Sequence, residues 1–267
     1  MREPPSSAGD NQLEFRLLGP LEALKHGQDC APTAPKTLQL LAMLLLRADK
    51  IVQIDSIIQE LWADEPPRSA RTTMQTYVYQ LRRFIEKNRR TGTDDNMQLL
   101  TKLPGYVLRI DTARIDVYVF QRLCQQGHEQ IQRGQHNEAA RTLRTALSLW
   151  SGPPLANVDC GPWLSAYAVE LQEQKRNAHH LRIQAEIEAG MHRELIGELR
   201  SLVTSNPFDE GLHGQLIRVL DRSGRRHDAL AAYRTLRATL NKELGLEPCT
   251  ELQRLHHQLL TADRPPQ

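Results

Sequence analysis

Cysteine is scarce and scattered, at Cys30, Cys124, Cys160 and Cys249, too far apart for a C-x-x-C metal knuckle or redox pair. Reduced thiols in a cytoplasm are the expectation. The chain has no stretch resembling a secretory signal and no apolar run long enough to span a bilayer, so no membrane partner is expected. Also missing are the Gly-x-x-x-x-Gly-Lys-Ser/Thr phosphate loop, Gly-x-Gly-x-x-Gly, His-Glu-x-x-His and Gly-x-Ser-x-Gly. Without them the chain reads as no enzyme, with no catalytic residue and no cofactor. Ten histidines invite a metal reading, yet His179-His180 and His256-His257 are sequence neighbours that diverge by about 100° on a helix. Neither pair converges on one ion, and no metal site is expected.

Net charge is nearly absent too, at +2. Residues 1–110 hold 15 basic and 13 acidic groups, and residues 111–267 hold 19 of each. The useful positive charge sits in residues 68–90, with Lys or Arg at 68, 71, 82, 83, 87, 89 and 90 against the single acid Glu86. There Met74, Val78, Leu81 and Ile85 recur at the spacing that lines one side of a helix, with Ala70, Tyr77 and Phe84 at its edges. Half a turn away lie Thr72, Thr76, Tyr79 and Arg83, with Gln80 and Lys87 beside them. Hydroxyls, an amide and guanidinium groups on one face suit phosphate oxygens and base edges in a DNA major groove. A solvated basic surface helix gives the same pattern in isolation, and the neighbouring segments weigh against it.

Upstream, residues 36–47 (KTLQLLAMLLLR) read as a helix started by Thr33 and Pro35, and residues 55–62 (DSIIQELW) as a second, capped by Asp55 and stopped by Glu65-Pro66-Pro67. Three short helices with a basic third make a helix-turn-helix candidate. Downstream, residues 97–110 (MQLLTKLPGYVLRI) form two apolar runs about Leu103-Pro104-Gly105-Tyr106, a hairpin whose Pro and Gly supply the turn dihedrals. A hairpin behind a recognition helix is a wing, with Lys102 near its tip. Residues 13–24 (LEFRLLGPLEAL) give strand-like runs broken at Gly19-Pro20, consistent with a small sheet that buries the first helix. The opening residues 1–12, rich in Pro, Ser and Gly, read as a disordered tail.

From about residue 111 the texture is helix after helix. Residues 134–147 (GQHNEAARTLRTAL) and 224–237 (GRRHDALAAYRTLR) share Gly-x-x-x-acid-Ala followed by apolar residues at helical spacing, and a weaker copy starts at Gly190. Gly190 and Gly224 are 34 positions apart, the period of a tetratricopeptide repeat. Each glycine is read as ending a helix, and the alanine as letting the paired helix approach, so that helical hairpins stack. The first interval, from Gly134 to Gly190, is irregular, and the insert with Pro153, Pro154 and Gly161-Pro162 accounts for it. Such hairpins serve as scaffolds, sensors and dimerisation surfaces. Trp62, Trp150 and Trp163, each beside Leu or Pro, read as core anchors.

The order LEFRLLGPLEAL, LWADEPP, SARTTMQTYVYQLRRF and LPGYVLRI resembles the OmpR-type winged helix-turn-helix of the Streptomyces antibiotic regulatory proteins. Residues 149–155 (LWSGPPL), 223–230 (SGRRHDAL) and 243–248 (ELGLEP) resemble the bacterial transcriptional activation domain of the same family. The resemblance covers roughly residues 13–262 and implies a short-form member, without the nucleotide-binding module of longer relatives. It implies a mainly α fold: a winged helix-turn-helix with small β-sheets at 13–110, then a tetratricopeptide-like helical domain at 111–262. It also implies a sequence-specific activator of antibiotic or other secondary-metabolite genes, cytoplasmic and nucleoid-associated. The partners would be double-stranded promoter DNA with direct repeats, RNA polymerase holoenzyme through its sigma factor and other subunits, and further copies of the chain on DNA.

Position along the recognition helix assigns roles within that reading. Thr72, Thr76, Tyr79 and Gln80 face base edges, Arg71, Arg82 and Arg83 hold phosphates with Lys87 beside them, and Lys102 approaches the adjacent minor groove or backbone. In OmpR-type proteins the loop before the recognition helix is the expected polymerase contact, which makes Trp62, Asp64 and Glu65 the candidates here. Because groove-reading residues end near Ile110, a fragment ending at residue 112 is expected to keep weak specific binding. A repressor with the same contacts, or an adaptor using the helical repeats, stays open on the sequence.

Overall fold

The first helix is buried almost all round. In α1 (Pro35–Leu46), every residue from Thr37 to Leu46 is buried, so it forms the spine of the N-terminal region. The structure, a computed structural model, describes residues 12–88 and 97–261. Ahead of α1, β1 (Glu14–Arg16), β2 (Glu22–Lys25) and β3 (Gln28–Asp29) form an antiparallel sheet with Phe15 opposite Ala23. After it come β4 (Val52–Gln53), α2 (Ile54–Trp62), α3 (Ala70–Asn88) and the hairpin β5 (Gln98–Lys102) and β6 (Gly105–Arg109), with sheet order β4-β6-β5. Three helices and a wing are in place. The expected tail lies, up to residue 11, outside the described residues, as do Arg89 and Arg90 of the basic stretch.

Two expected caps are corrected. The N-cap of α1 is Ala34, whose extended backbone leads into Pro35 at the first helical position, so Thr33 is not the start. Gln53 is the N-cap of α2, and Asp55 sits inside the first turn, where a carboxylate favours the helix dipole without capping. Gly105 is also reassigned. Its φ is not left-handed, and a Cβ there would lie 1.9 Å from the Val52 carbonyl oxygen, so its bare backbone is what lets β6 pair with β4.

Among the described residues seven further α-helices follow a short 3-10 turn at Thr112–Arg114: α4 (Asp116–Gln132), α5 (His136–Ser148), α6 (Pro162–Glu188), α7 (His192–Ser205), α8 (Glu210–Arg222), α9 (Arg226–Leu244) and α10 (Thr250–Thr261). The chain divides into two compact units, the first running to Gln125 and resuming over Thr145–Arg176, the second made of Gln126–Arg144 and Asn177 onward. Helices α4, α5 and α6 each contribute residues to both.

Within the first unit, elements far apart in sequence are joined through backbone groups. The Asp116 carboxylate, at the start of α4, accepts the N–H groups of Leu17 (2.9 Å) and Leu18 (3.0 Å). Residues 151–157 lie along the same edge: Ser151 N–H donates to Leu18 O, Leu155 N–H to Leu17 O, and Asn157 bonds both backbone groups of Leu21. The approach at Gly19 is close: a Cβ there would fall 1.9 Å from Ser151 Oγ, so the serine hydroxyl would have to turn away. The aromatic anchors are half-buried and packed on rings: Trp150 meets Phe120 edge-on at 5.4 Å, and Trp163 lies 5.2 Å from Tyr167 with Arg47 over its ring.

In the second unit the repeat reading has a physical basis at its glycines. Gly134, Gly190 and Gly224 all have φ between 74° and 87°. At each, the N–H of the next residue bonds back across the helix end, Gln135 to Gln130, Met191 to Glu186 and Arg225 to Leu220, the Schellman closure. The alanines behave as read, with Ala139 and Ala229 fully buried. A Cβ on Gly127 would strike Leu143, which fixes the close approach of α4 and α5. The buried Glu186 carboxylate is neutralised by Arg144 (2.7 Å) and Arg182 (2.8 Å), and Arg182 also pairs with Glu198 on α7. Ile183, Leu199, Leu216, Leu220 and Leu236 build the apolar interior of α6 to α9. The fold is mainly α: a winged helix-turn-helix with small sheets, then tetratricopeptide-like hairpins.

Candidate nucleic-acid interface

The recognition helix separates its faces cleanly. Ala70, Met74, Val78, Leu81 and Ile85 are the buried residues of α3, holding it on α1 and α2. Across the helix, Thr72, Thr76, Tyr79, Gln80, Arg83 and Lys87 are exposed, Tyr79 at 60%. A tyrosine so exposed contributes little to the interior, and its ring and hydroxyl remain available to a ligand. Thr76 Oγ donates to the Thr72 carbonyl at 3.3 Å, which leaves its lone pairs and methyl facing out.

Cations on this surface fall into two groups. Among the described residues, Arg83, Lys87 and Lys102 make no hydrogen bond or ion pair, so their charge is uncommitted. Arg71 instead lies 3.2 Å from Asp55, both well exposed, an ion pair that water and salt weaken. Arg82 differs from its expected phosphate role: its guanidinium donates to the Leu99 carbonyl (3.3 Å) and to Thr101 Oγ (2.7 Å) on β5. It ties the wing to the recognition helix. The Gln80 carbonyl oxygen accepts the Thr37 hydroxyl at 2.6 Å, which fixes the amide while its NH2 group stays on the exposed side. Lysines outside the face secure the frame: Lys25 donates to Asn88 O at the end of α3, and Lys36 to Leu61 O at the end of α2.

The loop between α2 and α3 carries the remaining candidates. Asp64 and Glu65 are exposed, and Ala63 takes the left-handed φ of 50° that turns the chain out of α2. Trp62 is half-buried, its ring 6.2 Å from that of Tyr77 on α3 with the two planes 28° apart. Two further residues escaped the sequence reading. Glu60, 3% exposed, accepts the N–H groups of Gly161 (2.7 Å), Trp163 (2.8 Å) and Leu164 (3.3 Å), closing the start of α6. Leu103, at the tip of the wing, is 84% exposed. Glu60 is one of two acids on α2 and gives no local signal, whereas Leu103 is an apolar residue in a turn and does.

No group of three or more metal-ligating side chains occurs among the described residues, and all four cysteines are free, with burial pushing the Cys124 thiol up to about 11. No helix among them is long and apolar enough to cross a membrane.

Two family models match, the C-terminal region of transcriptional regulatory proteins over residues 28–108 and the bacterial transcriptional activator domain over residues 115–260. Regulatory protein DnrI of Streptomyces peucetius is 37% identical over 255 residues, spanning 94% of this chain and 93% of its own. Regulatory protein AfsR of Streptomyces coelicolor is 32% identical over 97% of this chain, which covers 25% of that longer protein. A solved structure of Mycobacterium tuberculosis EmbR, in complex with a low affinity phosphopeptide, superposes with a TM-score of 0.88 at 33% identity, over 96% of this chain and 66% of that one.

Proposed function

The chain belongs to the Streptomyces antibiotic regulatory protein family of DNA-binding transcriptional regulators, and from that premise we propose that it activates a promoter by binding direct repeats and recruiting RNA polymerase holoenzyme. One observation carries the DNA-reading part: the face of α3 opposite its buried stripe exposes Thr72, Thr76, Tyr79, Gln80, Arg83 and Lys87 together. In a major groove, threonine methyls and the tyrosine ring suit thymine C5-methyl groups, the glutamine amide suits adenine, and Arg83 with Lys87 meets phosphates. Arg71 joins them by exchanging Asp55 for a phosphate. Arg82 acts indirectly, by keeping the wing and Lys102 beside the helix.

Direct repeats suit this geometry. Two copies on one face of the duplex need half-sites about one turn apart, roughly 10 to 11 bp, and the helical hairpins offer surface for self-association. Asp64 and Glu65 beside α3 would meet basic polymerase residues, sigma factor included. The similarity to DnrI and AfsR supports control of an antibiotic or other secondary-metabolite cluster.

Footprinting on fragments from genome-wide binding tests this. Protection upstream of or over the −35 region, abolished by inserting half a turn between half-sites, is the expected result. Protection across the start site would make the protein a repressor, and no protection at all an adaptor.

A further inference from the structure

The wing ends in an apolar point. Leu103 is 84% exposed, and Lys102 and Pro104 on either side of it are exposed as well. A single exposed leucine needs no function by itself. What distinguishes this one is how firmly its hairpin is held and what it is held beside.

From behind, the turn is anchored twice: Ile54 N–H donates to the Pro104 carbonyl at 3.2 Å, and Gly105 lies against the Val52 carbonyl so closely that no side chain fits. From the side, Arg82 of the recognition helix grips Leu99 O and Thr101 Oγ on the strand that leads to the tip. Fixing a turn at this many points sets the backbone from which Leu103 and Pro104 project. One cation, Lys102, stands next to it in sequence and is exposed. An apolar point on a fixed turn, with a lysine beside it, matches one feature of duplex DNA, a groove whose phosphate rims are anionic and whose walls are deoxyribose C–H groups. Leucine and proline are among the side chains that, pressed into a minor groove, partly unstack a base step and bend the duplex.

We propose that Leu103, backed by Pro104, is a wedge that enters the minor groove next to the major-groove site of α3 and selects a base step by how easily it opens. The inference rests on the DNA-reading assignment of α3 above. Pyrimidine–purine steps kink most readily, so the wedge adds a preference for TA or CA/TG at a position no polar side chain contacts. Lys102 contributes charge alone.

The test uses the full chain and duplexes that it recovers from a randomised pool, comparing the parent with Leu103→Ser, Leu103→Met and Lys102→Ala. Because Leu103 is so exposed, all variants should fold, which circular dichroism and thermal midpoints check. Leu103→Ser is expected to weaken binding roughly tenfold, reduce the bend seen by energy transfer between the duplex ends, and flatten the preference for the flexible step, with the salt slope unchanged. Leu103→Met should keep all three properties. Lys102→Ala should make the salt slope shallower by about one unit and leave the bend intact. A Leu103→Ser variant that binds and bends as the parent does overturns the wedge alone; a parent that recovers no duplex overturns the DNA-reading assignment with it.

Discussion

Glu60 holds the start of α6 through Trp163, whose backbone N–H donates to the carboxylate at 2.8 Å, with Gly161 and Leu164 donating to the same group. A helix start leaves its first N–H groups without intrahelical partners, and here a side chain about a hundred residues away supplies the acceptor. Glu60→Ala would leave these donors, one buried and two half-buried, without their acceptor, and a loss of about 2 to 4 kcal/mol is expected from the urea unfolding midpoint. Glu60→Gln keeps one acceptor oxygen but turns an amide donor toward N–H groups, so it should restore less than half of that. A loss under about 1 kcal/mol would mean that water replaces the carboxylate.

The same long-range bonding bears on where the DNA-binding part can be cut. A fragment ending at residue 112 discards Asp116, Ser151, Leu155 and Asn157, which bond to residues 17–21. It should unfold with low cooperativity and bind a hydrophobic dye, in contrast to the expectation that groove-reading residues alone define a working piece. Extending it to residue 176 restores these partners and should restore a single sharp transition. If the shorter fragment melts as sharply as the longer one, the clamp is dispensable.

What was legible in the sequence was local. The stripe Met74, Val78, Leu81 and Ile85 is buried as its spacing implied, because a helix face is decided within a dozen residues. Gly134, Gly190 and Gly224 end helices for the same reason, φ being a property of one residue and its neighbours. What escaped was partner identity at a distance. Arg82 has the composition of a phosphate contact, and only the return of β5 beside α3 gives its guanidinium protein acceptors. Asp55 has the composition of a cap, but capping depends on the backbone entering the helix, which is set by the β4–β6 pairing just before it and makes Gln53 the N-cap.

Arg82 and Arg83 should therefore separate under salt titration. Arg83, without a protein partner among the described residues, is expected to release about one counterion on binding, so Arg83→Ala makes the slope of log K against log salt shallower by about one unit and weakens all sequences alike. Arg82→Ala should leave that slope nearly unchanged and lower affinity by loosening the wing, with faster amide exchange at Leu99 and Thr101. Equal slope changes in the two variants would restore Arg82 to the phosphate set.

Asp116 predicts a pH signature. Burial raises its pKa from 3.8 to about 6, against the opposing pull of the Leu18 and Leu17 N–H groups. An acid that holds its proton more tightly when folded contributes stability that is present at low pH and fades as pH rises through the folded value. Between pH 5 and 7.5 that contribution should fall by about 1 kcal/mol. Asp116→Asn removes the titration, so its stability difference from the parent should be larger at pH 5 than at pH 7.5 in parallel urea melts. A difference that is flat or reversed across this window would mean that the backbone donors outweigh burial.

Activation needs a contact beyond DNA, and the exposed pair Asp64 and Glu65 lies in the loop that leads into α3. Any attraction to basic polymerase residues is electrostatic, so reversing both charges with Asp64→Lys and Glu65→Lys should turn it into repulsion. The double variant leaves Met74, Val78, Leu81 and Ile85 untouched, and the stacking of Trp62 on Tyr77 keeps the loop's entry in position. Two added cations near the duplex should tighten DNA binding slightly. The expected phenotype is full promoter occupancy with transcript output reduced several-fold in a purified system, the reduction shrinking as salt is raised and screens the repulsion. Undiminished output at full occupancy would place the polymerase contact elsewhere on the chain, with the helical hairpins of residues 116–261 the next surface to probe.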